Sequence, residues 1–305
     1  MRYIFGPINS RRFGLSLGID LSPNEKSCNF DCLYCELKAS KPTSFIKNPP
    51  KVEDIIDELK EALKKFKDID VITVTANGEP TLYPHLLELI EKINEIKNGY
   101  KTLILSNGST IYKKDIQKAL LKFDIVKLSL DCATQKCFKK LDRPLKEISL
   151  ENIIEGIKEF SKEFKGSLIV EILVVKGIND KEEEFKKLNE ILQQIKVARV
   201  DIGTIDRPPA YRVEPIRFKR LLELSKIIKN IPISIAHRKK IDFKKDDFNE
   251  NEILNTLRHR PLTKDDIEAI FSKNSLKIFD KLLKEKKIIK KSVANIDFYT
   301  SSIDK

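Results

Sequence analysis

Residues 71–106 read VITVTANGEPTLYPHLLELIEKINEIKNGYKTLILS, and they hold one full turn of the fold. VITVTA (71–76) and TLILS (102–106) are short β-branched and aliphatic runs suited to strands. Between them Leu86, Leu89, Ile90 and Ile93 recur at steps of three and four, which places them on one helical face. NGEPT (77–81) fills the turn after the first strand. Strand, turn, helix, strand is the unit of a parallel sheet.

The unit repeats in both directions. Further strands are expected at SLGIDL (16–21), IVKLSLD (125–131), LIVEILVV (168–175) and RVDIGTI (199–205). Val52, Ile55, Ile56, Leu59, Leu63 and Phe66 mark another amphipathic helix, and more helices are expected over 113–122, 150–164, 181–194 and 215–229. Six strands alternating with helices predict an α/β fold, its sheet open or curled into a barrel. In both forms functional loops collect beyond the carboxyl ends of the strands. The stretches SPNEKSCNFDCLYCE, NGEPT, NGS (107–109), the SLD that closes the fourth strand, and DRPP (206–209) all fall at that end.

Beyond residue 240 the pattern changes. KKIDFKKDDFNENE is charge-rich and reads as a linker, after which NEILNTLRHR, PLTKDDIEAIF and SLKIFDKLLKEKK read as three short helices. Thr263 is placed to cap the second, with Asp266 three residues later. IIKKSVANIDFY reads as two strands around a turn. This organisation predicts a core domain over 1–240 and, over 241–305, a linker plus a small winged helix-turn-helix-like domain.

Charge divides unevenly between the two ends. Residues 1–195 carry 32 lysines and arginines against 30 acids, whereas residues 196–305 carry 26 against 16, so +10 of the total +12 lies in the C-terminal third. Such a patch draws polyanions, or is a lysine-rich solvated face. No apolar run is long enough to span a bilayer, and the N-terminus has the arginines Arg2, Arg11 and Arg12 where a signal segment would be apolar. A cytoplasmic protein with reduced thiols is expected.

Three of the five cysteines, Cys28, Cys32 and Cys35, lie within eight residues as C-x3-C-x2-C. Chance would place that pattern in roughly one shuffled chain per thousand. A structural zinc ion needs four ligands, and no fourth cysteine or histidine is near; His85, His237 and His259 read as surface or packing residues. Three thiolates suit a cubane [4Fe-4S] cluster that leaves one iron open to a small chelating molecule. Cys132 and Cys137 are too few to hold a second cluster and read as ordinary thiols.

The triplet, with Tyr34 just before its last cysteine and a strand ahead of it, resembles the radical S-adenosylmethionine (radical SAM) superfamily over roughly residues 10–240. The resemblance implies a partial (β/α)6 TIM-type barrel, a cluster on Cys28, Cys32 and Cys35, and SAM chelated at the open iron. Reductive cleavage of the sulfonium would then give methionine and a 5′-deoxyadenosyl radical. It also implies SAM-binding positions. Gly78 and Glu79, in a stretch whose first family glycine is here Asn77, match the segment that receives the methionine amino group. Asn107 falls near the sugar, and Ser129 and Arg143 match positions that approach the carboxylate; Tyr34 and Asp131 lie beside them. Glu171 sits in an apolar strand, facing a ribose, a cation or a salt-bridging neighbour. Arg207 and Tyr211 are candidates for substrate contact or for fixing the loop at Pro208 and Pro209.

Within the superfamily the chain is most similar to enzymes related to those that build the tricyclic wyosine base of tRNA, although the cysteines of their second cluster are missing. An RNA or tRNA substrate bound through the basic C-terminal third is therefore expected, with a flavodoxin- or ferredoxin-type reductant and no membrane contact. The alternatives are a radical SAM enzyme acting on a protein or small molecule, and a DNA-binding regulator whose cluster senses redox state.

Overall fold

The computed structural model describes residues 2–10, 12–235, 245–293 and 296–302. Its larger sheet has eight strands: β1 (Ile4–Ser10), β2 (Gly14–Asp20), β3 (Val71–Thr75), β4 (Lys101–Ser106), β5 (Ile125–Ser129), β6 (Ser167–Val174), β7 (Arg199–Thr204) and β8 (Ile233–Ile235). They lie in sequence order. β2 to β8 are parallel throughout, and β1 pairs antiparallel with β2. A parallel sheet that always grows in one direction, through crossovers of one hand, keeps its helices on one face and curls as a partial barrel does; a doubly wound sheet would reverse its order.

Helices α1 (Val52–Lys65), α2 (Leu86–Ile96), α3 (Lys114–Leu120), α4 (Gln135–Leu141), α5 (Leu150–Glu163), α6 (Glu182–Leu192) and α7 (Phe218–Ser225) occupy the crossovers. The faces expected from apolar spacing are the buried ones: Ile55, Leu59, Leu89, Ile90 and Ile93 are fully enclosed. In α1, Glu53 and Asp54 open the first turn and Lys64 and Lys65 close the last, each matching the helix dipole.

All six expected strands form, and two more flank them. β1 escapes the periodicity because Gly6-Pro7 interrupts it, and the pairing register shifts between Phe5 and Ile8. A proline lacks the donor a central ladder needs, so an edge strand with an irregularity is where it fits. β8 has only three residues, too few for a pattern.

The C-terminal region contains α8 (Glu250–His259), β9 (Leu262–Thr263), α9 (Lys264–Ile270), α10 (Lys273–Lys284), β10 (Ile288–Val293) and β11 (Ile296–Ser301). The three strands form an antiparallel sheet ordered β10-β11-β9. Thr263 and Asp266 form a capping box on α9, and Asn249 and Glu252 form another on α8.

The charged stretch before α8 is more than a linker over its described residues. Phe248 is buried and packs between Phe66 of the core and Phe271, with ring centroids 5.8 and 5.0 Å away. Further bonds tie α8 to β1: Asn255 Nδ2 donates to the Ile4 carbonyl at 3.0 Å, and the Gly6 amide donates to Thr256 Oγ1 at 3.3 Å. Among the described residues no helix is long and apolar enough to cross a membrane.

Candidate active site

Cys28, Cys32 and Cys35 sit on the long loop after β2, half-buried and free of disulfides. The loop is fixed at several points. The Ser27 amide donates to the Asn77 carbonyl at 2.9 Å, and the Glu79 amide donates to the Ser27 carbonyl at 2.8 Å, so the cysteine loop runs as a short bridge beside Gly78. Gly78 has φ +143°, and a Cβ there would lie 1.8 Å from the Ser27 oxygen. The close approach expected of this glycine is thus made by the cysteine loop itself. On the other side, the Asp31 and Leu33 amides donate to the carbonyls of Asp142 and Leu141.

Glu79 is buried at the centre. Its Oε1 accepts from the Thr81 amide, the Thr81 hydroxyl and the Ser106 hydroxyl, and its Oε2 accepts from the Asn107 amide at 2.7 Å. Burial pushes its carboxyl upward in pKa against these bonds. Oε2 has one donor and room for another. Asn107 turns its Nδ2 toward Asn29 Oδ1 at 2.9 Å and Cys28 Sγ at 3.6 Å, so it braces the first cysteine.

Tyr34, Asn107, Ser129, Asp131 and Asp142 line one small cavity beside the loop. The Tyr34 hydroxyl donates to Asp131 Oδ2 at 2.5 Å, and the Leu173 amide donates to Oδ1 at 2.7 Å. Burial raises Asp131 to about 7 and pushes Asp142, next to it, well up.

The remaining predicted residues are engaged with protein partners. Arg143 Nη2 lies 3.1 Å from Asp31 Oδ2, with its guanidinium 4.6 Å above the Tyr211 ring, and the Tyr211 hydroxyl donates to the same carboxylate at 2.5 Å. Arg207 clasps both oxygens of Glu36 at 2.8 and 2.9 Å. Arg207 and Tyr211 therefore tie the loop after β7 to the cysteine loop, as the Ala210 amide does by donating to the Cys35 carbonyl. Glu171 is held by Arg12 at 3.1 Å and by Lys127 at 2.6 Å, with Asp201 completing a buried ionic cluster. Its partners come from β5 and the β1–β2 turn.

Three features lay outside the sequence reading. Cys132 and Cys137, expected as ordinary thiols, are joined as a disulfide with Cα atoms 5.6 Å apart. The turn from β5 into α4 brings them together, an approach that spacing alone does not reveal. With Glu184 they form a close group of sulfur and carboxylate atoms, but sulfurs bonded to each other are not thiolate ligands. Glu184 already accepts from the amides of Ala133 and Thr134. The Cys28 triplet is more widely spread, as a cluster requires when each thiolate takes its own iron.

The second feature is His259. Its Nε2 lies 2.5 Å from Asp20 Oδ2, and its ring stacks on Phe5 at 4.5 Å. Asp20, fully buried at the end of β2, also accepts from the amides of Ser22 and Asn77. Burial would raise its pKa, but His259 and these amides outweigh it and hold the carboxyl below its ordinary range. The packing role of His259 is within the expectation, and its bond to Asp20, which links α8 to the Asn77-Gly78 turn, lies outside it. His85 is half-exposed in side chain beside Glu88, and His237 lies outside the described residues. The third feature is a pair of acids at the loop: Asp31 within it, bonded to Arg143 and Tyr211, and the buried Asp142, whose carbonyl accepts from the Asp31 amide.

The donor set fits an iron–sulfur cluster. Burial, then the charge of Glu79, pushes the Cys28 thiol up to about 12, and burial raises Cys32 and Cys35 as well. Thiols so placed are poor free nucleophiles, and it is cationic metal that makes them thiolates.

Comparison with known proteins agrees. A family model described as the radical SAM superfamily matches residues 26–205. A UPF0026 protein of Helicobacter pylori (strain 26695) is 43% identical over 298 residues, covering 97% of this chain and 96% of that one. A probable dual-specificity RNA methyltransferase RlmN of Thermotoga petrophila is 29% identical over 206 residues, 64% of this chain and 58% of the other. Among solved structures, TYW1 with a lysine-pyruvate adduct superimposes with a TM-score of 0.54 at 21% identity, covering 75% of this chain and 76% of that one.

Proposed function

The chain belongs to the radical SAM superfamily, and from that premise we propose that it is an RNA-modifying enzyme of the cytoplasm. The family's cofactors are a [4Fe-4S] cluster and SAM. When bound, they supply reductive cleavage of the sulfonium and a 5′-deoxyadenosyl radical. The observation that carries the reading is the bridge between Ser27 and Gly78, which holds the three cysteines and the buried Glu79 in one place.

Each side chain then has a task. Cys28, Cys32 and Cys35 hold three irons. Glu79 Oε2, which has a single donor, would receive the SAM ammonium. Ser129 and the Arg143 guanidinium would take the SAM carboxylate, with Asp31 and Tyr211 fixing the angle of Arg143. Asn107 braces Cys28, and the Tyr34–Asp131 bond closes the floor of the cavity.

RNA is the substrate class favoured by charge, because the C-terminal third carries +10. Of this charge, residues 196–240 carry +8 (12 lysines and arginines against 4 acids) and residues 241–305, read as a winged-helix-like module, carry +2 (14 against 12); a flavodoxin- or ferredoxin-type protein is read as the electron donor. The relative named as an RNA methyltransferase points the same way. The test uses bulk RNA from cells with and without the gene, incubated with loaded enzyme, SAM and reductant, then digested to nucleosides for mass spectrometry. A nucleoside whose mass changes only in RNA from the deletion strain is the expected result. SAM consumption driven by a protein or metabolite fraction, with every nucleoside unchanged, would overturn the RNA assignment.

A further inference from the structure

A second cavity, of about 510 Å³, lies between the core and the C-terminal region. Its walls come from three places: Glu36 to Ala39 directly after the third cysteine, Pro208 to Ala210 after β7, and Arg258, Lys291 and Thr300 of the C-terminal region. The Ala210 amide bonded to the Cys35 carbonyl fixes this cavity one residue from the cluster ligands. Its volume falls within the ~300–1,000 Å³ of pockets that hold small ligands.

The charges in it are unbalanced. Glu36 is already matched by Arg207. Lys38, Arg258 and Lys291 have no carboxylate partner among the described residues, and Arg258 Nε is buried with no acceptor. Elsewhere in the same C-terminal region Lys281 and Lys287 pair with Glu250 and Lys290 with Asp297, while Lys273, Lys277, Lys284 and Lys286 are exposed without an ion pair among the described residues. What sets the cleft apart is that three cations converge on one cavity, with Arg258 Nε buried and without an acceptor. An anion is the partner that this arrangement lacks. Pro208, Pro209 and Pro261 add rigid apolar surface beside the charges, suited to the face of a sugar or base.

We propose that this cleft binds the phosphodiester backbone of the RNA substrate next to the nucleotide that is modified. The inference rests on the RNA reading above and adds a place and a set of contacts to it. The core supplies Lys38, and the C-terminal region supplies Arg258 and Lys291, so neither part forms the site alone.

The experiment is a fluorescence-anisotropy titration of labelled bulk tRNA onto the full-length, cluster-loaded protein at several salt concentrations. Two double variants are compared: Lys38→Gln/Lys291→Gln in the cleft, and Lys281→Gln/Lys290→Gln outside it. All four lysines are exposed, so both proteins fold, and both lose the same charge. The cleft variant should show a plot of log affinity against log salt shallower by about 1.5, near −0.7 to −0.9 per phosphate contact, and the outer variant should match wild type. If wild type binds tRNA and the cleft variant binds it equally well, or if both variants weaken binding alike, the cleft assignment fails while the RNA reading stands. If wild type binds no tRNA at low salt, the reading and the cleft fall together. A cleft variant that binds tRNA normally but is reduced more slowly by flavodoxin would reassign the cleft to the electron donor.

Discussion

Gly78 shows how one residue decides whether the site exists. With φ at +143° and the Ser27 carbonyl where a side chain would begin, Gly78→Ala must push the cysteine loop off the turn. A loss of about 2 kcal/mol or more is expected, together with a clear fall in iron retained per chain after reconstitution. A variant with wild-type iron content and melting temperature would show that the loop is not anchored there. Asp131 makes a second residue-scale prediction. Its folded pKa of about 7 stands above its ordinary 3.8, so between those values the folded chain holds a proton that the unfolded chain has released. Stability from this group therefore falls as pH rises from about 4 to 7. Asp131→Asn removes the titration, so melts of the cluster-free proteins should show the variant gaining on wild type between pH 5 and pH 8. A gap that is the same at both pH values would contradict the burial of this carboxyl.

At the scale of elements, α8 is joined to β2 through His259 and Asp20, two enclosed groups 239 positions apart. Removing one partner of such a pair leaves a buried polar group short of its hydrogen bond, which costs about 1–3 kcal/mol. His259→Ala and Asp20→Asn should each destabilise, and the double variant should lose clearly less than their sum, by at least about 1 kcal/mol in a chemical-denaturation cycle. Additive losses would mean that the contact contributes nothing as a pair. The same two residues explain what the sequence could and could not disclose. The cysteine triplet, the βα periodicity and the Thr263–Asp266 cap are legible because each is written within a few positions. Asp20 with His259, and Arg12 with Glu171, are pairings set by the closure of the whole sheet, and no local spacing encodes them. β1 was hidden for the opposite reason, since Gly6-Pro7 breaks the local pattern while the edge of the sheet tolerates it. The Cys132–Cys137 bond depended on the turn into α4, which the sequence presented only as a cofactor motif.

For the whole molecule, the sheet brings the cysteine loop, the Gly78–Glu79 turn, Asn107 and the end of β5 to one mouth, and the C-terminal region places beside it Arg258 and Lys291, which have no carboxylate partner among the described residues. The fold thus sets the radical SAM site beside the cleft proposed for the RNA backbone. The central claim is the chemistry, and one measurement addresses it most directly: protein reconstituted with iron and sulfide under anaerobic conditions, reduced, given SAM, and assayed for 5′-deoxyadenosine beside Cys32→Ala. The account predicts 5′-deoxyadenosine from wild type and none above background from the variant. A wild-type protein that carries its cluster and binds SAM, yet releases no 5′-deoxyadenosine with any reductant, would contradict it.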